Sequence, residues 1–170
     1  MKVLIAVDGS ECSLKGVDFI LRRRWHEEDE FRVVTVMEAI PVEFGLGHLP
    51  EAEMSYDKEM KKECESIAES AKTKLIKNLK GQMIDTKIYN GYVAEEIVKA
   101  AQDFNADLIV IGSHGRTGFK RFILGSVAEE VLKKAPCTVE IVRDKIKPED
   151  ERKYEKELIQ TGEKNIKRGS

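Results

Sequence analysis

The feature that most constrains this 170-residue chain is a strict alternation of two hydrophobic periods. Residues 2–7 (Lys-Val-Leu-Ile-Ala-Val) and 107–111 (Asp-Leu-Ile-Val-Ile) are nearly unbroken β-favouring apolar runs, as strands covered on both faces require. They are expected to be central strands. Residues 31–37 and 137–142 read similarly, whereas 84–89 alternate apolar with polar side chains and suit an edge. Between these runs apolar residues step by three or four: Leu14, Val17, Ile20 and Leu21; then Met60, Cys64, Ile67, Ala68, Ala71, Leu75 and Leu79; then Ile97, Ala100, Ala101 and Phe104. Each set defines one buried helix face. A fourth helix is expected over 126–134, stopped by Pro136. The order β-α-β-α-β-α-β-α-β implies an α/β fold, a three-layer open sandwich with a five-stranded parallel sheet, right-handed crossovers and helices on both faces.

A chain of this length supports one domain. Its 29 basic and 31 acidic residues nearly cancel, for a net charge of −2, which favours neither nucleic acid nor an anionic membrane as partner. The apolar start is broken at Asp8, too early for a secretory or membrane-spanning segment, so a cytoplasmic protein is expected. Cys12, Cys64 and Cys137 lack any Cys-x-x-Cys pairing and read as buried reduced thiols. His26, His48 and His114 are isolated, which gives no support to a His/Cys metal cage. Residues 38–52 carry Pro41, Gly45, Gly47 and Pro50 without a period and read as a surface loop, though long enough for a lid. From residue 144 the chain is almost wholly polar, with Tyr154, Leu158 and Ile159 as its few apolar anchors. The expected division is a domain over 1–143 and a charged tail over 144–170, solvated or forming a short docked helix.

Two loops hold the candidate chemistry. Asp8-Gly9-Ser10 follows the first strand, and Gly112 to Ser126 follows the fourth. Ligands of open α/β sheets bind at the carboxyl ends of strands where the strand order reverses; if strands one and four are neighbours, both loops face one crevice. The second loop carries Arg116, Lys120 and Arg121 and no acid, a local charge of +3. Its glycines allow close backbone approach, and Gly125-Ser126 opens a helix whose free N–H groups suit phosphate. Each feature alone has an ordinary structural explanation. Ser126 and Glu129 form a Ser-x-x-Glu capping box, single basic residues are usually solvated, and Asp8 or Ser10 would cap the first helix. The conjunction points to an anionic ligand. There is no Gly-Lys-Ser/Thr of a Walker loop and no Gly-x-Gly-x-x-Gly of a dinucleotide site. Nor does the sequence place a Ser/His/Asp set, a Cys/His pair or two carboxylates together.

From residue 1 to about residue 143 the chain resembles the universal stress proteins. Val7-Asp8-Gly9-Ser10 is similar to the family's first strand and loop. Gly112-x-x-Gly115, nine residues, then Gly125-Ser126 is similar to the signature of its ATP-binding branch. The resemblance implies an adenine nucleotide alpha hydrolase-like fold with strand order 3-2-1-4-5, and a homodimer. Thr138 and Glu140, on the strand through which members often dimerise, depart from the usual proline or apolar residues, and an edge charge discourages pairing. It also implies an adenine nucleotide, ATP or else AMP or ADP, with Mg or Mn. Ala6, Val7 and Asp8 would meet the nucleoside and ribose, and Val36, Ile111 and Gly112 the adenine. Gly115, Gly125, Ser126 and Val127 would hold phosphates, with Ser113 and Arg116 as further binding residues of the same loop. Asp8 is the candidate metal ligand. The expected function is an ATP-dependent regulatory switch of the stress response, with no catalytic residues and at most slow hydrolysis, read by a protein partner. Two alternatives stand beside it. An adenylyl transferase or pyrophosphatase relative would use residues 8–13 as a pyrophosphate loop, but these residues match the Ser-Gly-Gly-x-Asp-Ser pattern of that class poorly. A non-binding interaction protein would leave the crevice unused.

Overall fold

Valine and isoleucine fit the extended backbone and crowd a helix, and each run rich in them is a strand. The computed structural model describes the backbone of residues 1–38, 50–116 and 124–143, and the side chains of these except 50–56. The order is β1 (Lys2–Ala6), α1 (Glu11–Leu21), β2 (Glu30–Glu38), α2 (Pro50–Asn78), β3 (Met83–Gly91), α3 (Val93–Phe104), β4 (Leu108–Gly112), α4 (Ser126–Lys134) and β5 (Thr138–Val142). Every strand pair is parallel and the sheet runs β3-β2-β1-β4-β5. This is the expected class and order. The two continuous apolar runs are the adjacent strands β1 and β4, and the alternating run is β3 at an edge.

Successive strand side chains leave opposite faces, and that sorts the core in two. Val3, Ile5 and Val7 join Leu108 and Val110 on one face, closed over by Val17 and Ile20 of α1 and Ala68, Ala71 and Leu75 of α2. Leu4 and Ala6 join Ile109 and Ile111 on the other, under Ile97, Ala101 and Phe104 of α3 and Val131 of α4. Val3, Leu4 and Ile5 are fully buried, and burying such a side chain contributes about 1.5–3 kcal/mol. Leu14, expected on the buried stripe of α1, is 38% exposed. The small residues Ser13 and Gly16 are buried there instead, and a Cβ on Gly16 would stand 3.6 Å from Val110. The helix lies close to β4 along its small-residue side, which turns Leu14 to the flank.

The edge strand β3 is tied to β2 by more than its ladder. Arg32 and Asp85 are register partners, Arg32 Nε donates to Asp85 Oδ1 at 2.8 Å, and the guanidinium lies 4.3 Å from the Phe104 ring centroid. The hydrogen bond to Asp85 holds the Arg32 pKa above its ordinary value against the opposing effect of burial. The helix ends carry recognisable stops. Ser10 Oγ accepts from Ser13 N at 3.2 Å as the N-cap of α1, and Asn105 at φ 51° closes α3 in the left-handed region that Asn tolerates.

Three further expectations change. The loop expected over 38–52 gives up both of its ends, because Glu38 continues β2 and α2 already begins at Pro50. Cys64 is buried, but Cys12, in the first turn of α1, and Cys137, just ahead of β5, are only half-buried. The capping box fails, as shown below. Residues 39–49, the loop residues Gly118, Lys120 and Arg121, and the tail 144–170 lie outside the described residues. Among the described residues no helix is long and apolar enough to cross a membrane.

Candidate functional site

The strand order reverses between β1 and β4, one chain connection leaving toward β2 and the other toward β5, so the fold itself opens a crevice there. Ala6 pairs with Ile111 in the ladder, and the two glycine-bearing loops therefore leave the sheet side by side. A cleft of about 670 Å³ lies between them, within the ~300–1,000 Å³ typical of small-molecule sites. All twelve residues singled out from the sequence line it: Ala6, Val7, Asp8, Val36, Ile111, Gly112, Ser113, Gly115, Arg116, Gly125, Ser126 and Val127. They come from β1, β2, β4, α4 and the two loops.

A network of short contacts binds the loops to each other. Asp8 Oδ1 accepts from Ser10 N at 3.0 Å, an Asx turn that starts α1. Asp8 Oδ2 accepts from Arg116 N at 3.1 Å, and Arg116 Nε donates to the Asp8 carbonyl at 2.7 Å. Ser10 Oγ reaches the His114 carbonyl at 3.5 Å, and Gly125 N donates to the Ser113 carbonyl at 2.8 Å. Ser113 Oγ and His114 Nδ1 stand 3.0 Å apart. His114 Nε2 is enclosed yet has no hydrogen-bond partner among the described residues. Mg²⁺ is commonly held through one or two carboxylates plus the ligand's own phosphates. Asp8 offers one such carboxylate with lone pairs left over, and the described residues contain no cluster of three metal-ligating side chains.

The fourth helix begins differently from the sequence expectation. Gly125 is its N-cap, in extended backbone at φ −65°, ψ 147°, and no side chain caps it. Ser126 is already the first helical residue, so its hydroxyl is one position too far in to close a capping box, and Glu129 pairs with Lys133 at 2.6 Å instead. The consequence favours the site, because the amides of Ser126, Val127 and Ala128 lack helical acceptors and all three residues line the cleft.

The glycines turn out to serve the protein's own packing as well. A Cβ on Gly112 would stand 2.9 Å from both the Cys12 carbonyl carbon and the Ser13 amide nitrogen, backbone atoms at the start of α1, and one on Gly115 would meet Asp8 Oδ2 at 2.9 Å. A glycine pattern of this kind can therefore be kept for packing alone, and by itself it is weaker evidence of a ligand than the sequence suggested.

Sequence reasoning missed several walls of the cleft. Met60 and Cys64 reach it from α2, and Tyr92 and Val93 from the entry to α3. Tyr92 is 71% exposed, an aromatic ring at the mouth that no period or motif marked. Cys64 is 1% exposed, and burial pushes its thiol up from the ordinary cysteine value although the Arg116 charge pulls the other way. Because the thiolate is the reactive form, Cys64 is expected to be the last of the three cysteines alkylated by iodoacetamide at neutral pH. Peptide mass spectrometry over a time course reads this, and labelling of Cys64 ahead of Cys12 would contradict the burial described here.

Fold and cleft together define an open, doubly wound α/β domain with a small-molecule-sized cavity at its switch point. The chain belongs to the universal stress protein family, whose family model matches residues 1–143. It is 35% identical over 147 residues to the universal stress protein YxiE of Bacillus subtilis, covering 84% of this chain and 98% of that one. It is 34% identical over 139 residues to MJ0577 of Methanocaldococcus jannaschii, covering 78% and 81%. A solved structure of MJ0577 matches with a TM-score of 0.74 at 29% identity over 86% of this chain and 97% of that one. Two more distant structures share the fold. One is a universal stress protein in complex with cAMP, at 21% identity and TM-score 0.54 over 85% and 98% of the two chains. The other is an Arabidopsis thaliana family protein with AMP bound, at 17% and 0.60 over 85% and 92%.

Proposed function

We propose that this protein is an adenine-nucleotide-binding regulatory domain that holds ATP with Mg²⁺ or Mn²⁺, hydrolyses it slowly or not at all, and acts in the stress response through a partner that reads its nucleotide state. The observation that carries this is the meeting of the uncapped α4 N-terminus with both switch-point loops in one cleft. Unbonded amides at a helix start, with the dipole behind them, suit a phosphate chain. Gly115, Gly125, Ser126 and Val127 hold phosphates in this reading, with Ser113 and Arg116 beside them. Val36 and Ile111 flank the adenine with Gly112, and Ala6, Val7 and Asp8 meet the nucleoside. Asp8 is also the metal ligand, and His114 Nε2 is a polar atom that a ligand can satisfy. The nucleotides in the two more distant family structures support the ligand class.

A homodimer through β5 belongs to the same proposal. Glu140, the charge that argued against edge pairing, lies 3.4 Å from Arg23 just past α1. It projects over a face of the sheet, where strand side chains point, and so does not stand on the backbone edge at which a second chain would pair.

The first test is to denature the purified protein and identify released nucleotide by chromatography, then titrate the emptied protein with ATP and Mg²⁺ by calorimetry, with light scattering for the mass. ATP is expected in the supernatant or as a binding isotherm, at the mass of two chains. No released nucleotide and no heat at millimolar ATP would sink the nucleotide assignment, and the mass of one chain would sink the dimer.

A further inference from the structure

Three contacts converge on Arg116, and one comes from outside the two loops. Its amide and Nε are held by Asp8, while Nη1 donates to Glu63 Oε1 at 2.8 Å. Glu63 lies on α2, three residues after Met60 and one before Cys64, both of which line the cleft together with Arg116. The Asp8 contacts fix where the arginine side chain starts. The Glu63 contact decides what its charge does.

A guanidinium bonded to a carboxylate has spent N–H donors and most of its local field on that partner, and the same planar fork is what recognises a phosphate. The two anions therefore compete. The Arg116 and Glu63 side chains are 45% and 50% exposed, so solvent screens their attraction and the pair is weak enough to exchange. A buried pair would not be. Phosphates seated against the free amides of α4 are the stronger rival.

We propose that Glu63 is an internal competitor for the ligand's phosphates, a positioning residue that acts through Arg116 and lowers affinity selectively for anionic ligands. This rests on the nucleotide reading above. Glu63 then sets discrimination by charge: ATP competes with it for the Arg116 guanidinium, whereas adenosine, with no phosphate, is indifferent to it. Because Glu63 sits on α2, the exchange also changes the bond by which that helix holds the phosphate loop.

Calorimetric titrations of ATP and of adenosine into wild type, Glu63→Gln, Arg116→Gln and the double variant test this. Glu63→Gln is expected to tighten ATP about three- to fivefold, the scale of an exposed ion pair, and to leave adenosine unchanged. In the Arg116→Gln background the gain should vanish, since in a double-mutant cycle coupled residues are not additive. An ATP affinity unmoved by Glu63→Gln overturns the competition while leaving the nucleotide site standing. A gain that survives in full without Arg116 also overturns it, because Glu63 would then act as a bare repulsive charge. If wild type binds neither ATP nor adenosine, the nucleotide assignment fails and the competition falls with it.

Discussion

Gly112→Val should lower the stability of the whole domain by about 2–3 kcal/mol, the upper range for forcing atoms into a packed interior, and reduce Tm by about 5–10 °C for a domain of this size. The reason lies in what the new atoms meet. A Cβ at this position stands 2.9 Å from Cys12 C and Ser13 N, which are backbone atoms that no rotamer change can move aside, and valine adds two more carbons beyond it. Either β4 or the first turn of α1 has to retreat, and both pack in the same core layer. Ser13 N is also the donor to the Ser10 cap, so the cap is strained as well. Thermal unfolding followed by circular dichroism reads the loss. A Tm within a degree of wild type would mean that the β4–α1 contact is looser than described, and would remove the packing explanation for this glycine.

Gly115→Val should do the opposite, sparing the fold and damaging the site. Here the nearest obstacle to a Cβ is Asp8 Oδ2, again at 2.9 Å, but this is the end of a side chain that can rotate. The expected stability change stays within about 1 kcal/mol, as for most substitutions that avoid the core. The rotation, however, breaks the bond from the Arg116 amide to Asp8, and the valine branches intrude on a cleft that Gly115 helps to line. ATP affinity should fall at least tenfold, equivalent to about 1.4 kcal/mol, measured by calorimetry on protein whose unfolding midpoint has been checked. An unchanged affinity in a folded variant would place the phosphates elsewhere. Together the two variants separate a glycine required by the backbone from one required by the cleft, although the sequence presents them as members of one motif.

The alternation of β-favouring runs with helical stripes was enough to read the class, the central and edge positions of β1, β4 and β3, and the buried faces of α2 and α3. Those properties depend on which side chains must be buried, and burial periodicity is written locally. The cleft residues were legible for a related reason. Once β1 and β4 are neighbours, the residues after Ala6 and Ile111 have to emerge together, and the resemblance supplied the rest. What escaped depended on distances between segments. Met60 and Cys64 belong to the apolar stripe of α2, which says that they are covered without saying by what. Arg116 could be counted as a positive charge, but its engagement by both Asp8 and Glu63 follows only from how close α2 comes to the loops. The capping box over Ser126 and Glu129 failed because Ser-x-x-Glu has the same appearance one residue inside a helix as at its cap. The extended backbone of Gly125 settles the register. Leu14 misled in the same way, since an apolar residue at helical spacing was outcompeted for the buried side by Ser13 and Gly16.

The pairing of Ala6 with Ile111 has a bearing on how such a protein can diversify. The roots of the two jaws of the cleft are set by a hydrogen-bonded ladder buried in the middle of the sheet, so where the jaws begin does not depend on their own composition, whereas how they grip each other does. Location and selectivity are thereby inherited through different parts of the chain. Changes in the loops beyond Gly112 can alter what the cleft admits without moving the strands that present them. Grafting the loops of one relative onto the strands of another is, by the same logic, a transplantation between matched sockets.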